Sequence, residues 1–467
     1  MKIYSIFAIM IGVIGRFSGY SRDVAIIAII GIGTLTDHYV LFMSIPLMLY
    51  GVFASSIQNT TIMLIKDNND DYADYFASLI FVSAILVVLI YLALAIFNWP
   101  ITKLLFPSLG AIGNKYYVIM LLGSAIIFLS CLINILTAVL VVRNRQIIIA
   151  ISPLVLNIVF IMLIFSLKKH LSIIILFIIN IISYAAQLGW TYASTQIRIG
   201  IVDKDKVIRI IKKALPIVLG SATEQVNTMI IQSSAARQRA GFVTDLNYSG
   251  KVTSLVTSTY AASVLTIVYS RILVANRKSR QAIVRYGSMT VGVSLIISAF
   301  IFYNSEIVSK LLFGYGKIGS IEISQLGAMI RIYALGIPAI MARDYLYRVC
   351  YSINRPKLPM GSSIISMISL IIAIIFMKGD QIILAYVLSM YIAAMFLAIQ
   401  LIINRRLHIG QIEISLALFA LPLSIVYIVI LKIIAASGMM TFLSSLIIGI
   451  ILILYTILTS LDSDSTP

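Results

Sequence analysis

The chain has 467 residues, 61% of them hydrophobic and only 11% charged, with a mean hydropathy of +1.05; an ordinary soluble domain is about half apolar and about a quarter charged. No soluble core could bury that much apolar surface, so the composition implies one membrane domain with room for roughly 12 to 14 crossings of about 20 residues each. The formal charge of +18 would suggest nucleic acid in a soluble protein, but here Lys and Arg sit mostly in short gaps between apolar runs, which favours a positive-inside topology and no nucleic-acid partner.

In chain order the apolar runs fall at about 5–31, 38–65, 76–97, 116–142, 146–167, 171–195, 208–236, 244–271, 284–304, 325–350, 360–378, 381–403, 412–432 and 437–460. The expected fold class is therefore an all-α polytopic membrane protein with about fourteen transmembrane helices. The first run follows Lys2 and meets Arg16, Arg22 and Asp23 with no small-residue cleavage site, so it reads as a retained first helix. Runs seven and eight are the least hydrophobic, diluted by Glu224, Gln225, Asn227, Lys251 and many Ser and Thr residues. Cys131 and Cys350 lie in apolar runs far apart and read as packing residues.

With the N-terminus in the cytoplasm, the inside loops carry Arg143 and Arg145, the basic residues of 198–213, 271–280 and 348–357, and Arg405 with Arg406. They hold about twice the Lys and Arg of the opposite loops, which supports cytoplasmic N- and C-termini. The sequence also repeats. Gly33-Thr34-Leu35-Thr36-Asp37 returns as Gly241-Phe242-Val243-Thr244-Asp245; Ile101 to Phe106 returns as Val308 to Phe313; and Asn144-Arg145 returns as Asn354-Arg355. An even number of crossings per repeat makes the halves parallel. The expected organisation is a six-helix lobe over 1–197, a second over 198–406, and an appended helix pair with a short polar tail over 407–467.

Charges in the apolar runs mark the place to look for function, since each one facing lipid costs roughly 2.5–3.5 kcal/mol on insertion scales. Helix 1 holds Arg16, Arg22 and Asp23 beside Gly12, Gly15 and Gly19, and this small, polar side should face a cavity or a partner helix. Glu224, Gln225 and Asn227 on helix 7 and Lys251 on helix 8 place similar polarity in the second half, with Glu224 opposite Arg16 at the repeat offset. Helices 1, 2, 7 and 8 are expected to line one water-accessible, net-positive cavity. Structural ion pairs, Arg22 near Asp23 or Arg16 with Glu224, are the plainer alternative. Confined cations attract anions, Arg by a bidentate fork and Lys as a point charge, so Arg16, Arg22 and Lys251 suit a phosphorylated or pyrophosphorylated substrate.

Other signals are weaker. Gly314-Tyr315-Gly316-Lys317 lacks the spacing of a Walker loop and reads as a turn. His38, His170 and His408 lack ligand-spaced partners and read as interface residues, not metal ligands. No catalytic triad, carboxylate pair or nucleotide motif stands out, so neither an enzyme nor a cofactor is expected.

The stretch from Gly15-Arg16-Phe17-Ser18-Gly19-Tyr20-Ser21-Arg22-Asp23 through Gly31-Ile32-Gly33-Thr34-Leu35-Thr36-Asp37 resembles the helix 1 signature of the MurJ-type lipid II flippases, within the multidrug, oligosaccharidyl-lipid and polysaccharide exporter superfamily. Ser152 to Asn157, Leu215-Pro216 with Gly220, Asn247-Tyr248 with Lys251, Phe313 to Lys317, and Tyr351-Ser352 before Pro356 and Pro359 extend the resemblance over most of helices 1–12. It implies a fourteen-helix fold, a central cavity whose arginines engage the pyrophosphate of an undecaprenyl-linked precursor, and a groove from helices 13 and 14 for the lipid tail. Carried over, Arg16 and Arg22 match the functional helix 1 arginines, Asp37 the functional aspartate, and Lys251 a position that is usually Arg. The chain departs from the family in helix 2, where Tyr50 and Ser55 stand at places usually basic and acidic, and Glu224 is also unusual.

The expected function is a flippase translocating an undecaprenyl-pyrophosphate-linked glycan precursor, lipid II foremost, by alternating access in the bacterial cytoplasmic membrane. Its partners are that substrate, membrane lipids, and a coupling ion or the membrane potential. The alternatives are a flippase for an O-antigen or capsule unit, and a drug or organic-cation antiporter, which would concentrate carboxylates where basic residues predominate here.

Overall fold

A computed structural model of the chain describes residues 2–54, 57–58, 60–61, 72–96, 115–143, 145–195, 200–274, 280–353, 355, 357–403 and 439–462. Among the described residues the regular structure is entirely helical. The helices are α1 (Lys2–Ile30), α2 (Thr34–Leu49), continued by a π-helical turn at Tyr50–Ala54, α3 (Tyr72–Ile96), α4 (Lys115–Val142), α5 (Gln146–Ser166), α6 (Ile173–Thr195), α7 (Lys204–Ala235) and α8 (Phe242–Val274). There follow α9 (Arg280–Tyr303), α10 (Ser305–Phe313), α11 (Ser320–Ala334), α12 (Ile337–Ser352), α13 (Lys357–Phe376), α14 (Gln381–Ile403) and α15 (Met439–Asp462). The thirteenth apolar run, 412–432, lies outside the described residues, as does Ser55.

Eight of the described helices are long and apolar enough to cross a membrane, nine if the bent pair α11 and α12 counts as one span. Helices α7 and α8 are not among them, because the same charged and hydroxylated residues that single them out chemically lower their hydropathy. Two features differ from the expected runs. The run at 325–350 is broken into α11 and α12, bent by 42°. At the break the N–H groups of Leu335 and Gly336 bond only three residues back, to Ile332 O and Tyr333 O, and Pro338 opens the next helix, where its missing N–H costs nothing. Helix α10 is an additional short element whose Ser305, Val308, Ser309 and Phe313 are buried.

The chain forms two compact units. The first, Met1–Thr244 with Tyr315–Ile318, packs α1 on α5, α4 on α3 and α6, and α7 on α2, α3 and the π-helical turn. Its core joins Tyr75, Phe76 and Leu79 of α3 to Ile127, Cys131 and Ile135 of α4 and to Ile210 at the start of α7. Proline inside α2 is accommodated by Gly123 of α4, where any Cβ would lie 2.8 Å from Pro46 Cγ. The Arg143 guanidinium donates to Thr195 O, joining the ends of α4 and α6. In the second unit, Asp245–Gly314 with Gly319–Pro467, α9 packs on α11, α12 and α15, and α14 on α11, α12 and α13. Phe300 of α9 meets Phe442 of α15 at 5.4 Å between ring centroids. Cys131 and Cys350 are buried free thiols.

Candidate functional site

Helix α1 is held by its small residues. A Cβ at Gly15 would lie 3.5 Å from Ala150 O and one at Gly19 3.5 Å from Asn157 Nδ2, so α5 approaches closely along this face. Asn157 Nδ2 donates to Ser18 Oγ at 2.9 Å, and Ser18 Oγ donates in turn to Gly15 O. The partner helix expected for the Gly-rich side of helix 1 is therefore α5, and close approach plus a side-chain hydrogen bond is what joins helices where apolar burial supplies no driving force.

One turn further along, Arg22 lies with its guanidinium carbon 5.6 Å from the centre of the Phe160 ring of α5 and its Nη2 3.3 Å from Asp23 Oδ1. Adjacent residues on a helix do not face each other; the length of the arginine lets it fold back onto its neighbour. Asp23 is buried at 7% exposure, and an unpaired carboxylate there would be expensive. Arg22 is not spent on that pair, because its Nε is buried with no hydrogen-bond partner among the described residues.

Asp37 is engaged elsewhere. It is the fourth residue of α2, about 12 Å along the helix rise from the level of Arg22 to the end of α1, and its carboxylate caps α8. Oδ2 accepts from Gly241 N at 2.5 Å, and Oδ1 accepts from Thr244 N at 2.9 Å and from Thr244 Oγ1 at 2.5 Å. These are the orphan donors of a helix N-terminus, where the macrodipole also favours a negative charge. Gly241, at φ +85°, makes the preceding turn, and a Cβ there would meet Ile32 Cγ2 at 3.0 Å. The Tyr315–Ile318 segment, the turn expected from its Gly-Tyr-Gly-Lys sequence, joins the same end: Lys317 N donates to Ala28 O at 3.0 Å.

Among the remaining candidates, Gln225 of α7 packs against the π-helical turn so closely that a Cβ on Gly51 would lie 2.6 Å from Gln225 Nε2. Asn227 is buried at 4% exposure. In the second unit the Lys251 ammonium rests 4.7 Å from the centre of the Tyr248 ring, which is itself buried against Phe313. The side chains of Arg16, Tyr50 and Glu224 lie outside the described residues. The structure thus brings Arg22 to Asp23, and Asp37 to α8. Sequence reasoning missed the roles of Phe160, Gly241 and Thr244; the repeat that aligns Thr36-Asp37 with Thr244-Asp245 was the available signal for the last two.

Described helices long and apolar enough to cross a membrane, with charged residues packed between them, define a polytopic membrane protein. Its fold is similar to an inward-facing multidrug resistance MATE family transporter of the MOP superfamily, 14% identical with a TM-score of 0.64, covering 84% of this chain and 98% of that one. It is also similar to the Vibrio cholerae MATE transporter VcmN in its bent form, 16% identical with a TM-score of 0.56, covering 87% and 96%. A lipid II flippase MurJ in an inward closed conformation matches with a TM-score of 0.80 at 19% identity over 98% of both chains. Residues 26–457 match the model of the lipid II flippase MurJ family, and the chain belongs to that family. Among its relatives are the probable lipid II flippases MurJ of Buchnera aphidicola from Acyrthosiphon pisum, 23% identical over 379 residues (76% of this chain, 74% of the relative), and from Schizaphis graminum, 24% identical over 377 residues (76% and 73%).

Proposed function

We propose that this chain flips lipid II across the cytoplasmic membrane by alternating access, with Arg22 at the centre of the pyrophosphate site and Arg16 and Lys251 as its further cations. The observation that carries the assignment is the state of Arg22. Its guanidinium rests against the Phe160 ring and the Asp23 carboxylate, yet it keeps a buried Nε donor without a partner among the described residues. A preoriented fork with an unspent donor is what a diphosphate oxygen needs, and charge-assisted bonds in a poorly solvated site are roughly twice as strong as neutral ones.

In this scheme the lobes 1–197 and 198–406 rock about the site, and the helices of 407–467 take the lipid tail. Gln225, Asn227, Glu224, Tyr50 and Ser55 line or gate the path, and both termini lie in the cytoplasm. Asp37 acts as a positioning residue: its capping of the first turn of α8, together with the Lys317 contact to Ala28, fixes the ends of α1 and α2 within the first unit. Expelling an anionic headgroup from a negative interior is favoured by roughly 2.3 kcal/mol per charge per 100 mV, so the membrane potential can drive the step. Family membership does not favour the O-antigen, capsule or antiporter alternatives.

The test is complementation of a flippase-depleted strain. Arg22→Ala and Arg16→Ala should each insert at normal abundance and fail to support growth, with lipid II retained on the inner leaflet. Arg22→Lys, which keeps the charge without the fork, should restore only part of the activity. Normal growth of both alanine variants would sink the assignment.

A further inference from the structure

We propose that the start of α7, on the connection between the two sequence repeats, is a binding site for anionic phospholipid of the inner leaflet. One face of this segment is fixed to the protein. Ile210 is fully buried in the core with Tyr75, Phe76 and Leu79. Arg209 Nη1 donates to Tyr75 Oη at 3.1 Å, the Lys206 ammonium lies 5.1 Å from the centre of the same ring, and Asp203 N donates to Ser78 Oγ at 3.2 Å. The Asp203 carboxylate accepts from Asp205 N at 2.9 Å, capping the helix start.

The opposite face has mixed chemistry. Ile201, Ile208 and Ile211 are 82%, 41% and 49% exposed, and Lys204 and Lys212 are exposed between and beside them. Positions 204, 208 and 211 share a helical face, with 212 adjoining it. Water would leave the isoleucines uncovered, and hydrocarbon would leave the lysines unsolvated. Only the boundary between headgroups and acyl chains satisfies both, with the isoleucines dipping in and the lysine stems snorkelling back to the phosphates. A zwitterionic surface would suffice for the isoleucines alone. The sequence between 200 and 213 carries five cations, Lys204, Lys206, Arg209, Lys212 and Lys213, against the two carboxylates of Asp203 and Asp205, and that excess selects anionic headgroups. Assignment to the inner leaflet rests on the cytoplasmic orientation of this connection in the functional scheme above; the lipid chemistry rests on the segment itself.

The experiment uses the full chain in nanodiscs of phosphatidylcholine mixed with phosphatidylglycerol, with an environment-sensitive fluorophore on Ile208→Cys; Cys131 and Cys350 are buried. Brominated phosphatidylglycerol should quench the probe well beyond brominated phosphatidylcholine. Each cation near an anionic surface is worth about fivefold in partitioning, so Lys204→Gln with Lys212→Gln should cut the excess about 25-fold, and the two arginine replacements should restore it. Equal quenching by both lipids would overturn the proposal. So would no quenching by either, the result a soluble protein on this face would give. Labelling of Ile208→Cys by an impermeant thiol reagent from outside intact cells would overturn the leaflet without altering the quenching. Loss of transport in Arg22→Ala leaves the quenching unchanged, so failure of the flippase scheme is told apart from failure of the lipid site.

Discussion

Removing the Asp37 carboxylate should loosen the first turn of α8, which it caps. Asp37→Ala takes the acceptor from two backbone N–H groups and one hydroxyl, those of Gly241 and Thr244, at a site where Asp37 is 7% and Thr244 0% exposed. A lost helix cap costs about 0.5–2 kcal/mol, and a buried donor left unsatisfied about 1–3 kcal/mol. Allowing water to reach part of the opened site, the capped turn loses about 3 kcal/mol, more than a hundredfold in its equilibrium with the uncapped one. Asp37→Asn keeps a carbonyl acceptor and loses the charge, for which about 1 kcal/mol and about a fivefold shift are expected. Thr244→Val removes only the hydroxyl donor and should fall between wild type and Asp37→Ala. The assay is the rate at which a maleimide modifies Val243→Cys in the purified protein, since Val243 is 2% exposed and reacts faster when the capped turn opens. Labelling of Asp37→Ala at the wild-type rate, with normal transport, would refute this role of the cap.

Two glycines give further tests. Gly316 has φ +74° and its missing Cβ would run into the backbone carbonyl of Ala28; Gly316→Ala should detach the Tyr315–Ile318 turn, seen as a lower unfolding temperature in detergent, at a cost of about 1–2 kcal/mol from the left-handed backbone alone. Gly51→Ala places a methyl 2.6 Å from Gln225 Nε2 and should lower the unfolding temperature in detergent through about 1–3 kcal/mol of overpacking. Gln225→Ala should rescue it, and a failure of rescue would mean that the π-helical turn, not the amide, limits the fit.

Much of the site was written in the chain, though not its partners. Arg22 and Asp23 could be singled out because charge in an apolar run is costly wherever the helix lies. Their pairing was one of the alternatives the sequence left open, and Phe160, which carries the guanidinium, is an ordinary apolar residue with no mark of its role. Asp37 stood out by its place in the repeat, but nothing local says that its carboxylate serves the first turn of a helix 204 residues away. Gly15 and Gly19 announced a close neighbour without naming α5.

What the sequence determined alone was the solvent and the helical content, because hydropathy sums over about 20 consecutive residues and a backbone in lipid must satisfy its own hydrogen bonds within each helix. The tertiary structure decided where those helices break and what their polar residues touch. Helix α11 stops at Leu335 and α12 restarts under Pro338, although the apolar run continues through both, and α7 gives one face of its first turns to Tyr75 and Ser78 while leaving Ile208 and Ile211 outward. Insertion into a membrane is a local property of each segment, whereas capping, stacking and close glycine contacts exist only between segments that packing has already brought together.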